Sequence, residues 1–402
     1  MVVSSIGDSP PGLAGTIPGA MRVAIDARAA TAPHRTGVGH YTWQLVRRLP
    51  LVDRSTDYVA WYLNAGGFLD GRRFFSDVGA PNLSERGTPI PAGIFNRLVS
   101  KLDLPRFEWL VRFDVAFGPN FVPPPTRARR VVVTVHDLGF RFLPTTAPHA
   151  VPWWLRGLDR TLQTATRIIV PSAATRRDVM ELYGVENERI DVIPLGVDTE
   201  VFRRPADAHV LAVRQRFGIE GPYVLFLGLD PRKNLPTTID AFARLPAATR
   251  PTLVLAGAEP WDPAGRRPVA EALDSISREV RERIVVTGYV SESTKAALLG
   301  GAEALVYPSL YEGFGLPVLE EMACGTPVLT SNVSALPELV DGAGVLVDPS
   351  DADAIAAGIE SLMVDDGLRA RLRAAGLARA SEFDWDATAK HTAHVLRAAG
   401  SR

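Results

Sequence analysis

The chain has 402 residues, 46% hydrophobic and 22% charged. That is enough apolar side chain for two sizeable cores, so a single small module, wholesale disorder and a collagen-like repeat are excluded. Lys plus Arg (44) nearly balances Asp plus Glu (45), a formal net charge of −1, so nothing draws the whole chain to nucleic acid or anionic lipid and any anion site is local.

In chain order, residues 1–20 read as a disordered leader, with no basic region followed by an apolar stretch, and structured chain is expected from Met21. RVAID at 22–26 is an apolar run, followed by the turn Thr36-Gly37-Val38-Gly39 and an amphipathic stretch from Tyr41 to Leu49: strand, glycine turn, helix. Further strand candidates fall at 58–63, 114–117, 130–135, 167–171 and 189–194, with a helical pattern over Ala173–Tyr183. A polar, Arg-rich passage from Asp198 to Glu220 separates this series from a second one. There the strands are expected at 223–228, 252–257, 283–288, 303–307 and 326–330, and the helices at 235–245, 265–281, 291–300 and 316–324. Helices at 351–364, 366–381 and 384–398 close the chain. Continuous apolar strands alternating with helices predict an α/β fold of two doubly wound parallel sheets, with ligands at the carboxyl ends of strands and a cleft between the domains. The single cysteine, Cys324, cannot form an intrachain disulfide, and no apolar run reaches the ~18–20 residues of a membrane span. Both fit a cytoplasmic protein.

Of the 44 basic residues only Lys101, Lys233, Lys295 and Lys390 are lysines, so a lysine in a suggestive place merits attention. Lys233 is in one. In Gly228-Leu229-Asp230-Pro231-Arg232-Lys233-Asn234-Leu235-Pro236, between a strand and a helix, Asn234 is expected to cap the helix and Pro236 to sit in its first turn. Arg232 and Lys233 then stand at a helix N-terminus, where free N–H groups already favour an anion, and a diphosphate clamp is the functional reading. A solvated basic turn is the plainer one. In Tyr311-Glu312-Gly313-Phe314-Gly315-Leu316-Pro317 the loop Gly313–Leu316 leads into a helix that carries Glu320 and Glu321. Carboxylates before the loop and one turn into the helix suit sugar or ribose hydroxyls, although acids near a helix start also stabilise it unaided. His136 ends a strand-like run. The remaining histidines form no metal-ligand spacing, and Asp351-Ala352-Asp353 and Asp384-Trp385-Asp386 are best explained as helix caps, so no metal is predicted. The tryptophan- and arginine-rich stretch 149–160 reads as helix packing, with contact to a membrane surface or a lipid-linked acceptor as the alternative.

These motifs, with TGVGHY at 36–41, VHD at 135–137, VPS at 170–172, IPLGVD at 193–198 and GYVSE at 288–292, resemble the retaining GT-B glycosyltransferases of family four over nearly the whole chain from Met21. Their paired glutamates are met by Glu312 and Glu320. The resemblance implies that Arg232 and Lys233 hold a nucleotide diphosphate, Glu312 contacts the transferred sugar and Glu320 binds the ribose. It also places Gly39 against the phosphates, His136 toward the sugar, Tyr289 and Val290 along the base, and Gly313, Phe314, Gly315 and Leu316 in the loop about the donor. Glu321, where such enzymes carry a small residue, is expected to point to solvent. The implied domains are 21–200, Rossmann-like and acceptor-side, and 201–383, Rossmann-like and nucleotide-sugar-binding, with helix 384–402 packing back on the first. The implied function is metal-independent hexosyl transfer from a nucleotide sugar, GDP-mannose first and a UDP-hexose second, to a glycan or lipid-linked acceptor. No cofactor or nucleic acid is implied, and peripheral contact at the inner face of the plasma membrane is left open. A sugar-nucleotide-binding protein without turnover and a nucleotide-sugar epimerase on the same fold are the alternatives.

Overall fold

The computed structural model describes residues 19–32, 36–65, 73–143, 152–257 and 263–401. Most of the expected leader, His34, and His149 to Val151 of the aromatic stretch lie outside the described residues. Thirteen strands are described: β1 (Arg22–Asp26), β2 (Asp57–Leu63), β3 (Leu83–Thr88), β4 (Val115–Gly118), β5 (Val131–Thr134), β6 (Arg167–Val170), β7 (Ile190–Val192), β8 (Tyr223–Leu227), β9 (Thr252–Ala256), β10 (Ile284–Gly288), β11 (Ala304–Tyr307), β12 (Val328–Ser331) and β13 (Val345–Val347). They form a seven-stranded sheet in the order β3-β2-β1-β4-β5-β6-β7 and a six-stranded sheet in the order β10-β9-β8-β11-β12-β13. The ladders of β1 with β2 and β4, and of β8 with β9 and β11, are parallel. Both sheets are therefore doubly wound and Rossmann-like. Strands β4, β5, β8, β9, β11 and β12 are buried along their whole length, which is why they appear in the sequence as continuous apolar runs.

The chain divides into two compact units, residues 1–132 with 392–402, and residues 133–391. In the first, Trp61 is flanked by Phe95 and Phe107 at ring distances of 5.6 and 5.4 Å, and Arg397 pairs with buried Asp53 at 2.9 Å. In the second, Phe226, Leu255, Val306 and Leu329 from the strands meet Ile239, Phe242, Ile355 and Ile359 from helices Leu235–Arg244 and Ala352–Val364. Each buried aliphatic or aromatic side chain contributes about 1.5–3 kcal/mol. Helix Pro152–Thr164 buries Leu158 and Leu162 and sets Trp154 edge-on to Phe140 at 5.3 Å, so the described part of the aromatic stretch serves packing.

Some elements lie where the sequence does not announce them. The passage Asp198–Glu220 contains a helix, Asp207–Phe217, which buries only Val213 and so shows no apolar stripe. β3 (LSERGT) is a polar strand at the end of the sheet order. Asp351 and Asp384 do cap helices, accepting from the backbone N–H groups of Asp353 and Ala354 and of Asp386 and Ala387.

Candidate active site

The 133–391 unit gathers most of the residues singled out in the sequence. β5 runs out through Val135 to His136, which is 9% exposed, and Asp137. The loop Gly313–Leu316 lies against this strand end. A Cβ on Gly313 would stand 1.8 Å from the His136 carbonyl oxygen, so only glycine allows that approach. The Gly313 carbonyl accepts from the hydroxyls of Ser172 and Thr175 at 2.7 and 3.2 Å. Gly315, at φ 105°, opens helix Leu316–Cys324, with Pro317 in its first turn. Tyr311 donates its hydroxyl to Asp178 and accepts the backbone N–H of Leu138 at 3.3 Å.

Arg232 and Lys233 occupy a 3-10 turn, Pro231–Lys233, that precedes helix Leu235–Arg244, and Asp230 caps the turn by accepting the Arg232 N–H at 3.0 Å. Both therefore stand immediately before the helix start, as expected, in a turn of their own. Asn234 is the residue before the helix, yet its side chain makes no cap bond. It lies in the left-handed region at φ 65° and donates its amide to the carbonyls of Pro308 at 3.2 Å and Pro349 at 2.6 Å. Asn234 thereby ties the turn to the chain that leaves β11.

The guanidinium of Arg232 donates to Asp137 Oδ2 at 3.1 Å, and its Nε–H, buried, has no hydrogen-bond partner. Burial disfavours its charge, but Glu312 and Asp137 more than offset this and hold it firmly protonated. Lys233 donates its buried ammonium to the Tyr307 hydroxyl and Glu312 Oε1, and lies over the Tyr307 ring at 4.8 Å. Glu312 Oε1 also accepts from Ser309 at 2.8 Å and from Tyr307 at 3.0 Å. All of these donors converge on Oε1, and among the described residues none reaches Oε2. Burial by itself would raise the Glu312 pKa, but Lys233 and Arg232 outweigh it and bring it down to about 2, so the group is an acceptor across the physiological range.

Glu320 lies past the first turn of its helix, which holds no acidic residue, so stabilisation of a helix start does not explain it. Its Oε2 pairs with Lys295 Nζ at 2.8 Å, and that ammonium rests over the Phe202 ring at 4.6 Å. Burial raises the Glu320 pKa against the opposing pull of Lys295. Lys295 is thus held half-buried between Glu320 and Phe202. Glu321 does not point to solvent: it is 0% exposed and both carboxylate oxygens are buried without a hydrogen-bond partner. Burial, and then Glu320, push its pKa far above the usual carboxylate range.

His136, Arg232, Lys233, Glu312 and the Gly313 loop thus come together, with Glu320 and Lys295 as a second ion pair on the same helix and loop system. Phe314 packs edge-on to Phe383 at 5.8 Å, and Leu316 is the first residue of the helix. Tyr289 follows β10 and is 69% exposed, with Val290 beside it half-buried. Gly39 belongs to the other unit, in the first turn of helix Gly37–Val52, where its N–H donates to the Thr36 hydroxyl at 3.5 Å. Tyr307, Ser309, Asp178 and the role of Lys295 escaped the sequence reading; only the scarcity of lysine pointed toward Lys295. Among the described residues no group of three or more His, Cys, Asp or Glu is placed to hold a metal ion.

Two Rossmann-like parallel sheets, with paired cations and carboxylates gathered at strand ends, define a GT-B glycosyltransferase. Residues 35–201 match the profile described as Glycosyltransferase Family 4 and residues 213–379 that of Glycosyl transferases group 1, and the chain belongs to this glycosyltransferase family. It is 32% identical over 384 residues to O-antigen chain mannosyltransferase B of Escherichia coli, covering 90% of this chain and 96% of that protein. It is 31% identical to MMP alpha-(1->4)-mannosyltransferase of Mycolicibacterium hassiacum over 63% of this chain and 62% of that one. Among solved structures it resembles Anabaena Alr3699/HepE in complex with UDP and glucose, with a TM-score of 0.67 and 19% identity over 94% of this chain and 100% of that one. Sucrose-phosphate synthase from Thermosynechococcus elongatus gives a TM-score of 0.70 at 22% identity, over 94% and 98%.

Proposed function

We propose that this glycosyltransferase moves a hexose, mannose before any other, from a nucleotide diphosphate sugar to a glycan or lipid-linked acceptor, with retention of configuration and without a metal ion. The observation that carries this is the gathering of Arg232, paired with Asp137, and Lys233, paired with Glu312, beside the Gly313 loop. As the glycosidic bond breaks, negative charge grows on the departing diphosphate, and preorganised cations in a poorly hydrated site stabilise that charge most strongly at the transition state. Arg232 brings a buried N–H without a partner, suited to a phosphate oxygen. Glu312 is held ionised with Oε2 free to accept a sugar hydroxyl. Glu320, steadied by Lys295, accepts from the ribose; His136 faces the sugar, Tyr289 and Val290 the base, and Gly39 the phosphates. Asp351 and Asp384 are occupied as helix caps, so charge neutralisation falls to the cations. Residues 21–200 and 201–383 are taken as the acceptor-side and donor-side domains.

The mannosyltransferases among the relatives favour GDP-mannose, while the UDP and glucose named with the Anabaena structure keep a UDP-hexose second. The test is release of nucleoside diphosphate from GDP-mannose and UDP-glucose, with and without EDTA. Release that persists in chelator is expected. Loss restored by Mg²⁺ or Mn²⁺ overturns the metal-free mechanism. Tight nucleotide binding with no turnover of GDP-, UDP-, ADP- or TDP-sugars overturns catalysis in favour of a binding protein.

A further inference from the structure

Tyr307 ends β11 and is fully buried, and its carbonyl accepts the Thr330 hydroxyl at 2.9 Å. A phenylalanine would fill the same place without the cost of burying a hydroxyl, so packing alone does not account for the phenol. The hydroxyl accepts from the Lys233 ammonium and donates to Glu312 Oε1 at 3.0 Å. Burial, and then the charge of Glu312, raise its pKa well above the ordinary phenol value, so it remains a donor. Tyr307 thus bridges a clamp cation and the carboxylate read as meeting the sugar. Lys233 gives one N–H to Tyr307 and one to Glu312, and among the described residues nothing accepts its third. Glu312 takes Lys233, Ser309 and Tyr307 all on Oε1. Those donors come from three places, the turn Pro231–Lys233, the end of β11 and the chain just beyond it. Together they stop the carboxylate from turning about its Cγ–Cδ bond, a soft torsion that otherwise exchanges the two oxygens.

We infer that Tyr307 is a positioning residue for sugar transfer, its hydroxyl fixing the Glu312 carboxylate so that Oε2 is presented to a sugar hydroxyl. The inference rests on the reading of Glu312 as the carboxylate that contacts the transferred sugar. Contacts made in a transition state demand placement to within about 0.5 Å, and a carboxylate free to rotate is misaligned much of the time. The Lys233 ammonium also lies over the Tyr307 ring at 4.8 Å, a contact that phenylalanine keeps. Lys233 further keeps its ion pair with Glu312. Loss of the hydroxyl therefore acts on the aim of Glu312 and not on the diphosphate clamp.

The test is steady-state release of nucleoside diphosphate from GDP-mannose and UDP-glucose by the full chain carrying Tyr307→Phe, Glu312→Gln or both. GDP and UDP affinities are measured alongside by calorimetry, and turnover is counted per nucleotide-binding site, so that an unfolded fraction drops out. Tyr307→Phe should lower kcat about tenfold, the size of one hydrogen bond to a charged group, and leave GDP and UDP affinity within about twofold. In the Glu312→Gln background the same substitution should cost no more than about twofold, because a residue that acts through Glu312 then has nothing left to position. A kcat equal to the parent's in Tyr307→Phe overturns the inference and leaves the role of Glu312 standing. A loss of the same size in both backgrounds also overturns it, since Tyr307 would then serve packing alone. A matching loss of nucleotide affinity overturns it by assigning Tyr307 to the clamp. Glu312→Gln that turns over like the parent overturns the reading of Glu312 itself, and the inference with it.

Discussion

Glu321→Gln should make the protein more stable at neutral pH, which is unusual for a substitution at a fully buried position. Burial, and then the charge of Glu320 beside it, raise the Glu321 pKa well above its ordinary value and outweigh the opposing pull of Thr326, so the folded state favours the neutral acid. In the unfolded chain the group ionises above its ordinary value of 4.5. The folded state therefore binds the extra proton. This group's contribution to stability is complete below pH 4.5 and declines as pH rises toward the folded-state value. Each pH unit between 4.5 and the folded-state value costs about 1.4 kcal/mol. Glutamine keeps the shape and removes the ionisation. Relative to the parent, the variant should thus gain little or nothing at pH 4.5 and progressively more as pH rises above it, at about 1.4 kcal/mol per pH unit, or about 3 °C at ~2 °C per kcal/mol for a unit of this size. Thermal unfolding of parent and variant at half-unit steps from pH 4.5 to 8 reads this directly. A difference that stays flat with pH, or a variant less stable than the parent at pH 7, would refute the assignment of Glu321 as a neutral buried acid.

Three further outcomes are expected. Arg232→Ala and Lys233→Ala should each weaken GDP and UDP binding by ~1.5–3 kcal/mol, the size of a charge-assisted contact; calorimetric affinities unchanged in both would remove the diphosphate clamp. Glu312→Gln should lower turnover roughly tenfold to a hundredfold and spare nucleoside diphosphate affinity, whereas Glu320→Gln should weaken the nucleotide itself; equal losses of affinity would reject that division of labour. Because the Glu312 pKa is brought down from 4.5 to about 2, its contribution to stability is present above pH 4.5 and disappears as pH falls toward 2. At pH 7, Glu312→Gln strands the Lys233 ammonium without its counter-ion at a cost of about 3–5 kcal/mol, and acid titrations of the two proteins should converge between pH 4.5 and 2.

What the sequence determined by itself is what local physics writes into neighbouring residues. Helices Ala173–Tyr183 and Leu316–Cys324 have the bounds their patterns predict, and nearly all the apolar strands lie within a residue or two of theirs. Periodicity, proline at helix starts and the glycine of the Gly313 loop act over a few positions, and Glu312, Glu320, Arg232 and Lys233 drew attention for the same reason. Helix Asp207–Phe217 went unannounced because it buries a single side chain, which leaves little apolar pattern to find. Only the tertiary structure decided which charges meet. Asp137 reaches Arg232 across 95 positions, Lys233 reaches Glu312 across 79 and Lys295 reaches Glu320 across 25. It also drew Asn234 away from capping toward Pro308 and Pro349, and turned Glu321 inward. Each of these outcomes depends on how strands far apart in the chain come side by side. Coulomb attraction and desolvation then act on distances in space that no spacing along the sequence encodes.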